Sequence, residues 1–175
     1  MNYHQYYPVD IVNGPGTRCT LFVSGCVHEC PGCYNKSTWR VNSGQPFTKA
    51  MEDQIINDLN DTRIKRQGIS LSGGDPLHPS NRSGVRRLIA EIREKTPEKT
   101  IWLYTGDVWE NVAGDPMMRQ IDVLVDGEFC IEEYDPNLMW KGSKNQRVID
   151  VRKSLMKGPG SDPVLHCGDY IEQER

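Results

Sequence analysis

The chain has no stretch approaching the ~20 consecutive apolar residues that a membrane-spanning helix needs, so no membrane partner is expected. No apolar run stands behind a basic start at the N-terminus, where Met1 to Tyr7 is polar and aromatic. A secretory leader is therefore not expected, and a cytosolic location is. No long run of Lys and Arg appears, and the formal net charge is -3, which speaks against a nucleic-acid groove. The basic cluster around Arg86 and Arg87 reads as the solvated side of a helix. No internal repeat is visible. The 175 residues suffice for one compact domain with a real core. They fall short of the ~250 that a closed eight-unit β/α barrel typically needs. A cytosolic chain is not expected to pair its six cysteines as structural disulfides.

What is present is a repeating alternation. Four short apolar runs each end in Gly, Ser or Thr: Thr20–Val23 before Ser24-Gly25, Ile69–Leu71 before Ser72-Gly73-Gly74, Ile101–Tyr104 before Thr105-Gly106, and Val123–Val125 before Asp126-Gly127. These read as buried strands. Between them lie helical patterns. Thr48 can cap a helix from Lys49 to about Asp61, with Met51, Ile55, Ile56 and Leu59 on one side. Val85, Leu88, Ile89 and Ile92 follow the spacing of an amphipathic helix, and Asp115-Pro116 can open a short one. Strand and helix in alternation predict an α/β fold with a parallel sheet, whose ligands bind at the C-terminal strand ends. The folded domain is expected over 1–152. From 153 to 175 the Gly158-Pro159-Gly160 and Asp162-Pro163 turns and a charged end read as an irregular tail, which carries Cys167.

Three cysteines crowd into Cys26-Val27-His28-Glu29-Cys30-Pro31-Gly32-Cys33, directly after the first predicted strand. Thiolates spaced by three residues and then two can each hold a different iron of one cubane. No partner C-x-x-C pair supplies a fourth, so one iron is left open to a substrate or cofactor. The alternative is a structural zinc ion, with His28, Cys19, Cys130, Cys167 or His166 as fourth ligand. Zinc sites usually show paired knuckles, and this chain has one. Cys19 and Cys130 adjoin predicted strands and read as buried thiols. A non-catalytic zinc module that binds a partner is thus the reading from a different class.

The triplet resembles the cysteine motif of the radical S-adenosylmethionine superfamily, and its surroundings resemble the activating enzymes of glycyl-radical enzymes. Asn13-Gly14-Pro15-Gly16-Thr17-Arg18 is similar to that branch's opening signature, and Phe22-Val23-Ser24-Gly25-Cys26 follows in place. Cys33-Tyr34-Asn35, Thr38-Trp39 and Trp140-Lys141-Gly142-Ser143-Lys144-Asn145-Gln146 resemble the members that act on anaerobic ribonucleoside-triphosphate reductase. The resemblance runs from Met1 to about Arg147 and is densest before Pro79. Gly32 stands where an aromatic is usual and Asp75 where Glu is commoner; Lys141 replaces an expected Arg and Asp107 an expected aromatic.

The resemblance implies an open, partial β/α barrel and a radical oxidoreductase. Cys26, Cys30 and Cys33 would bind a [4Fe–4S] cluster whose fourth iron takes S-adenosylmethionine. Gly32, Cys33, Tyr34, Gly73, Gly74, Asp75 and Thr105 would form the cofactor pocket, with Gly73-Gly74-Asp75 meeting the amino group of its methionine end. Taken alone, Gly-Gly-Asp-Pro is a good turn. Arg18, Asn145 and Gln146 are the candidate contacts to the partner, although Arg18 could equally cap a neighbouring strand. The implied partners are the reductase catalytic subunit as protein substrate, and a flavodoxin or ferredoxin as reductant, with a homodimer inside a heterotetramer as the assembly. Another glycyl-radical enzyme is the alternative partner. Trp102 and Tyr104 read as core, Asp126-Gly127 as either site or turn, and His78 as a loop residue. The four histidines look scattered, with no catalytic dyad.

Overall fold

The computed structural model describes residues 1–166. Seven strands form one open sheet in the order β3-β1-β2-β4-β5-β6-β7. Here β1 is Asn2–Asp10, β2 Arg18–Val23, β3 Gln45–Pro46, β4 Gly68–Gly73, β5 Thr100–Tyr104, β6 Val123–Asp126 and β7 Arg147–Asp150. The four strands expected from the sequence are the central ones, and they run parallel. The sheet as a whole is mixed, because β1 pairs antiparallel with β2 and β3, and β7 antiparallel with β6. A purely parallel sheet is thus corrected. The flanking strands escaped the sequence reading because β1 is polar and at least partly exposed along its length, while β7 buries only Val148 and Ile149.

Alternation along the central strands sorts the sheet's two faces. Leu21, Ile69, Leu71, Ile101, Leu103 and Leu124 point to the helix side and join the main core. There they meet α1 (Lys49–Asn60) and α2 (Pro79–Lys95). The Thr48 hydroxyl accepts from Met51 N at 3.3 Å and so starts α1. His78 is a cap, its Nδ1 accepting from Ser80 N at 3.2 Å ahead of Pro79 at the first turn. Val85, Leu88, Ile89 and Ile92 are fully buried, whereas Arg86 and Arg87 face solvent as expected. The opposite face is mixed: Arg18, Thr20 and Ser70 are buried on it, beside an apolar group of Trp102, Val123, Val125 and Val148. A sheet face that alternates hydroxyls with aromatics suits a ligand cavity better than a second dry core.

Two smaller helices, α3 (Trp109–Val112) and α4 (Val151–Lys157), complete the described residues. Asp115 caps a 3-10 turn over Pro116–Gln120, accepting from Met117 N at 2.9 Å. The boundary expected at 152/153 falls inside α4. Beyond it Leu165 bridges to Ile149, and His166 N donates to Val148 O at 2.7 Å. The segment expected to be irregular is therefore ordered as far as 166, because the main chain after the Gly-Pro turns returns to satisfy the free edge of β7. Cys167 and the rest of the expected tail lie outside the described residues. No helix among the described residues is long and apolar enough to cross a membrane.

Candidate metal centre and cofactor cavity

The cysteine loop leaves the C-terminal end of β2 and is pinned by the main chain on both sides. Gly25 N donates to Thr38 O at 2.7 Å and Cys26 N to Trp39 O at 3.0 Å, while Asp75 N donates to Gly25 O at 2.7 Å. All three thiols are free, Cys30 buried and Cys26 and Cys33 half-buried. Cys33 Sγ accepts from Asn35 N at 3.3 Å, and the main-chain N–H groups of His28 and Glu29 beside Cys26 and of Phe129 beside Cys30 act to lower those thiols. Such donors stabilise thiolate over thiol. Burial pushes the Cys26 and Cys30 thiols up, and each also feels a neighbouring thiol, Cys26 that of Cys30 and Cys30 that of Cys33. A cation placed between them would reverse that balance.

Among the described residues, the trio of His, Cys, Asp or Glu donor atoms found within 4.8 Å of one another is His28, Asp75 and Asp107, not the three sulfurs. A single zinc ion with Zn–S of about 2.3 Å needs its sulfurs about 3.8 Å apart. Three thiols on one loop can each hold a separate iron of one cubane. The two other described cysteines are engaged elsewhere. Burial pushes Cys19 up to about 11, on the helix side of the sheet, and the Cys130 thiol donates to Glu132 Oε2 at 3.2 Å.

Beside the loop lies Gly73-Gly74-Asp75. A Cβ on Gly74 would sit 2.5 Å from Gly25 O, so the two loops approach this closely only over a glycine. Asp75 differs from expectation. Its side chain is buried and turned inward: Oδ1 accepts from Leu77 N at 2.7 Å, and Oδ2 accepts from Thr105 Oγ1 at 3.0 Å and from His28 Nε2 at 2.8 Å. Its carbonyl accepts from Asn81 Nδ2 at 2.9 Å and His78 N at 3.0 Å. Asp75 and Thr105 are thus tied to each other rather than turned to an open pocket.

His28, offered by the sequence only as a fourth zinc ligand, has a pairing that sequence reasoning missed. Its other nitrogen, Nδ1, donates to Glu128 Oε1 at 2.8 Å, so the ring lies between two carboxylates. The Asp75 hydrogen bond, offset in part by burial and helped by Glu128, pushes its pKa up to about 9. The ring lies over Gly106, where a Cβ would come within 2.4 Å of His28 Cδ2. Position between two cluster cysteines was the available signal; its acidic partners stand 47 and 100 residues away.

On the mixed face of the sheet a cavity of about 620 Å³ opens next to Cys33 and Tyr34, walled by Phe22, Ser72, Tyr104 and Val125. The Tyr104 hydroxyl is buried there without a hydrogen-bond partner, an orphan that a polar ligand would satisfy. Tyr34 is 75% exposed and forms the rim with Phe129 and Tyr134, at ring-centroid distances of 6.2 and 6.1 Å. The donor set, the orphaned phenol and the room beside Cys33 fit a cluster with a small polar cofactor.

The other expected contacts go elsewhere. Arg18 is 1% exposed at the N-terminal end of the sheet, with Nε on Ser70 Oγ at 3.0 Å, Nη1 on Thr100 Oγ1 at 2.9 Å and Nη2 on Ile69 O at 2.9 Å. A side chain so enclosed caps strands and cannot touch a partner. Asn145 donates to Glu128 O at 2.8 Å and Gln146 to Gly127 O at 2.9 Å, holding the loop after β6, with Asn145 exposed at the surface and Gln146 lining the cavity. Asp126 turns the chain, accepting from Trp109 N at 2.7 Å and pairing with Arg147.

An open α/β sheet with one thiol-rich loop defines an iron–sulfur protein of the single-cluster kind. A family profile described as "4Fe-4S single cluster domain" matches residues 12–149. The chain is similar to the anaerobic ribonucleoside-triphosphate reductase-activating protein of Escherichia coli (strain K12), 70% identical over 154 residues, 87% of this chain and 100% of that protein. The protein of the same name from Vibrio cholerae is 60% identical over 150 residues (85% and 97%), and that of Enterobacteria phage T4 is 44% identical over 152 (85% and 93%). The chain belongs to the family of anaerobic ribonucleoside-triphosphate reductase-activating proteins.

Proposed function

We propose that this chain is the radical S-adenosylmethionine activase of anaerobic ribonucleoside-triphosphate reductase, with Cys26, Cys30 and Cys33 holding three irons of a [4Fe–4S] cluster. The observation that carries the assignment is the set of three free thiols on one loop, the last of them lining an open cavity. Held by those three thiols, a [4Fe–4S] cluster would supply the one electron for reductive cleavage of S-adenosylmethionine, and with it the power to take a hydrogen atom from a glycine of the reductase.

The chain's own residues place and shield these groups. Gly32, Cys33 and Tyr34 form one wall of the cofactor pocket, with the Tyr34 ring as its rim. Gly73 and Gly74 let the main chain come close to the methionine end. Asp75 and Thr105 support that turn from behind. The reacting atoms must approach to about 3–3.5 Å, so fixing the loops matters more than any acid or base. The open sheet is a partial barrel of the radical S-adenosylmethionine type, and its gap admits a glycine-bearing loop. A flavodoxin or ferredoxin supplies the electron. The activase works as a homodimer within a heterotetramer with the reductase, in the cytoplasm.

The test is anaerobic reconstitution. About four irons per chain should be retained, and addition of the reductase subunit, S-adenosylmethionine and reductant should give a glycyl-radical doublet in the electron spin resonance spectrum. One zinc per chain and a colourless sample would refute the reading. Cofactor cleavage without a doublet would reassign the partner.

A further inference from the structure

We infer that His28 is a positioning residue that clamps the cluster loop to the ends of the neighbouring strands and so sets where the cluster's open corner stands relative to the cofactor site. This rests on the cluster-and-cofactor reading above and adds a role for a residue between its ligands.

The geometry of the clamp is specific. One ring joins four successive strand ends: its own loop after β2, Asp75 after β4, Thr105-Gly106 after β5 and Glu128 after β6. Nε2 reaches Asp75 Oδ2 at 2.8 Å, and the same oxygen takes the Thr105 hydroxyl at 3.0 Å. Nδ1 reaches Glu128 Oε1 at 2.8 Å. The ring rests on Gly106, where any Cβ would displace it. Its side chain is 12% exposed, that of Asp75 4% and that of Glu128 61%. Charge-assisted hydrogen bonds are strong where water is excluded and weak where it is not. The Asp75 link is therefore the stiff one, and the Glu128 link is an outer stay.

Seen this way, Asp75 serves the cofactor indirectly. Its carboxylate is occupied by His28, Thr105 and the Leu77 amide, so it steers the loop that carries Cys26 and Cys30. Outer-shell partners of metal ligands typically change affinity or activity by about 10–100-fold when removed, with the ligands themselves intact.

The clamp can be tested one nitrogen at a time. Gln places a donor near Nε2 and Asn near Nδ1, so His28→Gln keeps the Asp75 link and His28→Asn only the Glu128 link. All variants are reconstituted anaerobically beside the wild type. Iron is counted, and the electron spin resonance spectrum of the reduced cluster is recorded with and without S-adenosylmethionine while the cofactor is titrated.

The expected result is wild-type iron content in all variants. Cofactor affinity should fall about 10–100-fold in His28→Ala and His28→Asn, with an altered spectral response, and His28→Gln should restore most of both. Three results would overturn the clamp: an unchanged spectrum and affinity in His28→Ala, tighter cofactor binding there, which would mean that the ring occupies the cofactor's place, or loss of iron in step with loss of affinity. If the wild type itself shows no cofactor-induced change, it is the cluster-and-cofactor reading that fails.

Discussion

Gly106→Ala gives the clamp a test that leaves His28 itself untouched. The new Cβ would lie 2.4 Å from Cδ2, 2.6 Å from Cγ and 2.7 Å from Nε2 of the imidazole. Carbon atoms rest at about 3.5–4.0 Å, so the ring must retreat by about 1 Å. It cannot do so and keep both 2.8 Å hydrogen bonds to carboxylates. Overpacking of this kind costs about 1–3 kcal/mol. A lost hydrogen bond to a charged group adds about 1.5–3 kcal/mol for the buried Asp75 link, and much less for exposed Glu128. A total of about 2.5–6 kcal/mol would lower the melting temperature of a chain this size by about 5–24 °C. The same substitution in a His28→Ala background meets no ring, so its cost should drop to near zero, and the coupling between the two sites should account for most of the effect. Anaerobic thermal melts of the four reconstituted proteins supply the cycle. An equal loss in both backgrounds would show that Gly106 is required for some other reason and that the ring is not wedged there.

Three further outcomes are expected. Cys30→Ala should abolish cleavage of S-adenosylmethionine while the far-ultraviolet circular dichroism spectrum stays close to wild type; retained turnover would contradict the ligand assignment. Arg18→Met should destabilise the chain by about 2–4 kcal/mol in urea melts, because buried oxygens of Ser70, Ile69 and Thr100 lose their donor, yet leave affinity for the reductase unchanged. Weaker partner binding at full stability would return Arg18 to the interface. Gly74→Ala should lower iron retention and cofactor binding together, since its Cβ would strike the Gly25 carbonyl, a main-chain atom with nowhere to go; iron analysis and a binding titration measure both.

The central strands and both long helices could be read from local pattern, because Leu21, Leu71 and Leu103 alternate with small or aromatic residues, and Val85 to Ile92 repeat at helical spacing. The thiol loop was legible for the same reason: its meaning lies in spacing along eight contiguous positions. What was hidden depends on pairing at long range. β1 has little apolar signal of its own and is a strand because β2 offers it a free edge. Arg18 stood open between partner contact and strand cap, and only the fold, by supplying main-chain and hydroxyl oxygens as its acceptors, decides for the cap. Asp75 could be placed at a strand end, yet nothing in the sequence pairs it with His28 in preference to a ligand. Tyr104 read as core, and its ring is, while only the fold reveals that its hydroxyl ends in a cavity without a partner.

The sheet's two borders shape how such an unclosed molecule behaves in a crowded cell. An open sheet presents edges that invite other chains to add strands. Here one border is β3, two residues long and ending in Pro46, which has no N–H to offer a newcomer. The other is covered by the returning segment Val164–His166. With both flanks blunted, neither border offers a second copy a ready strand to extend.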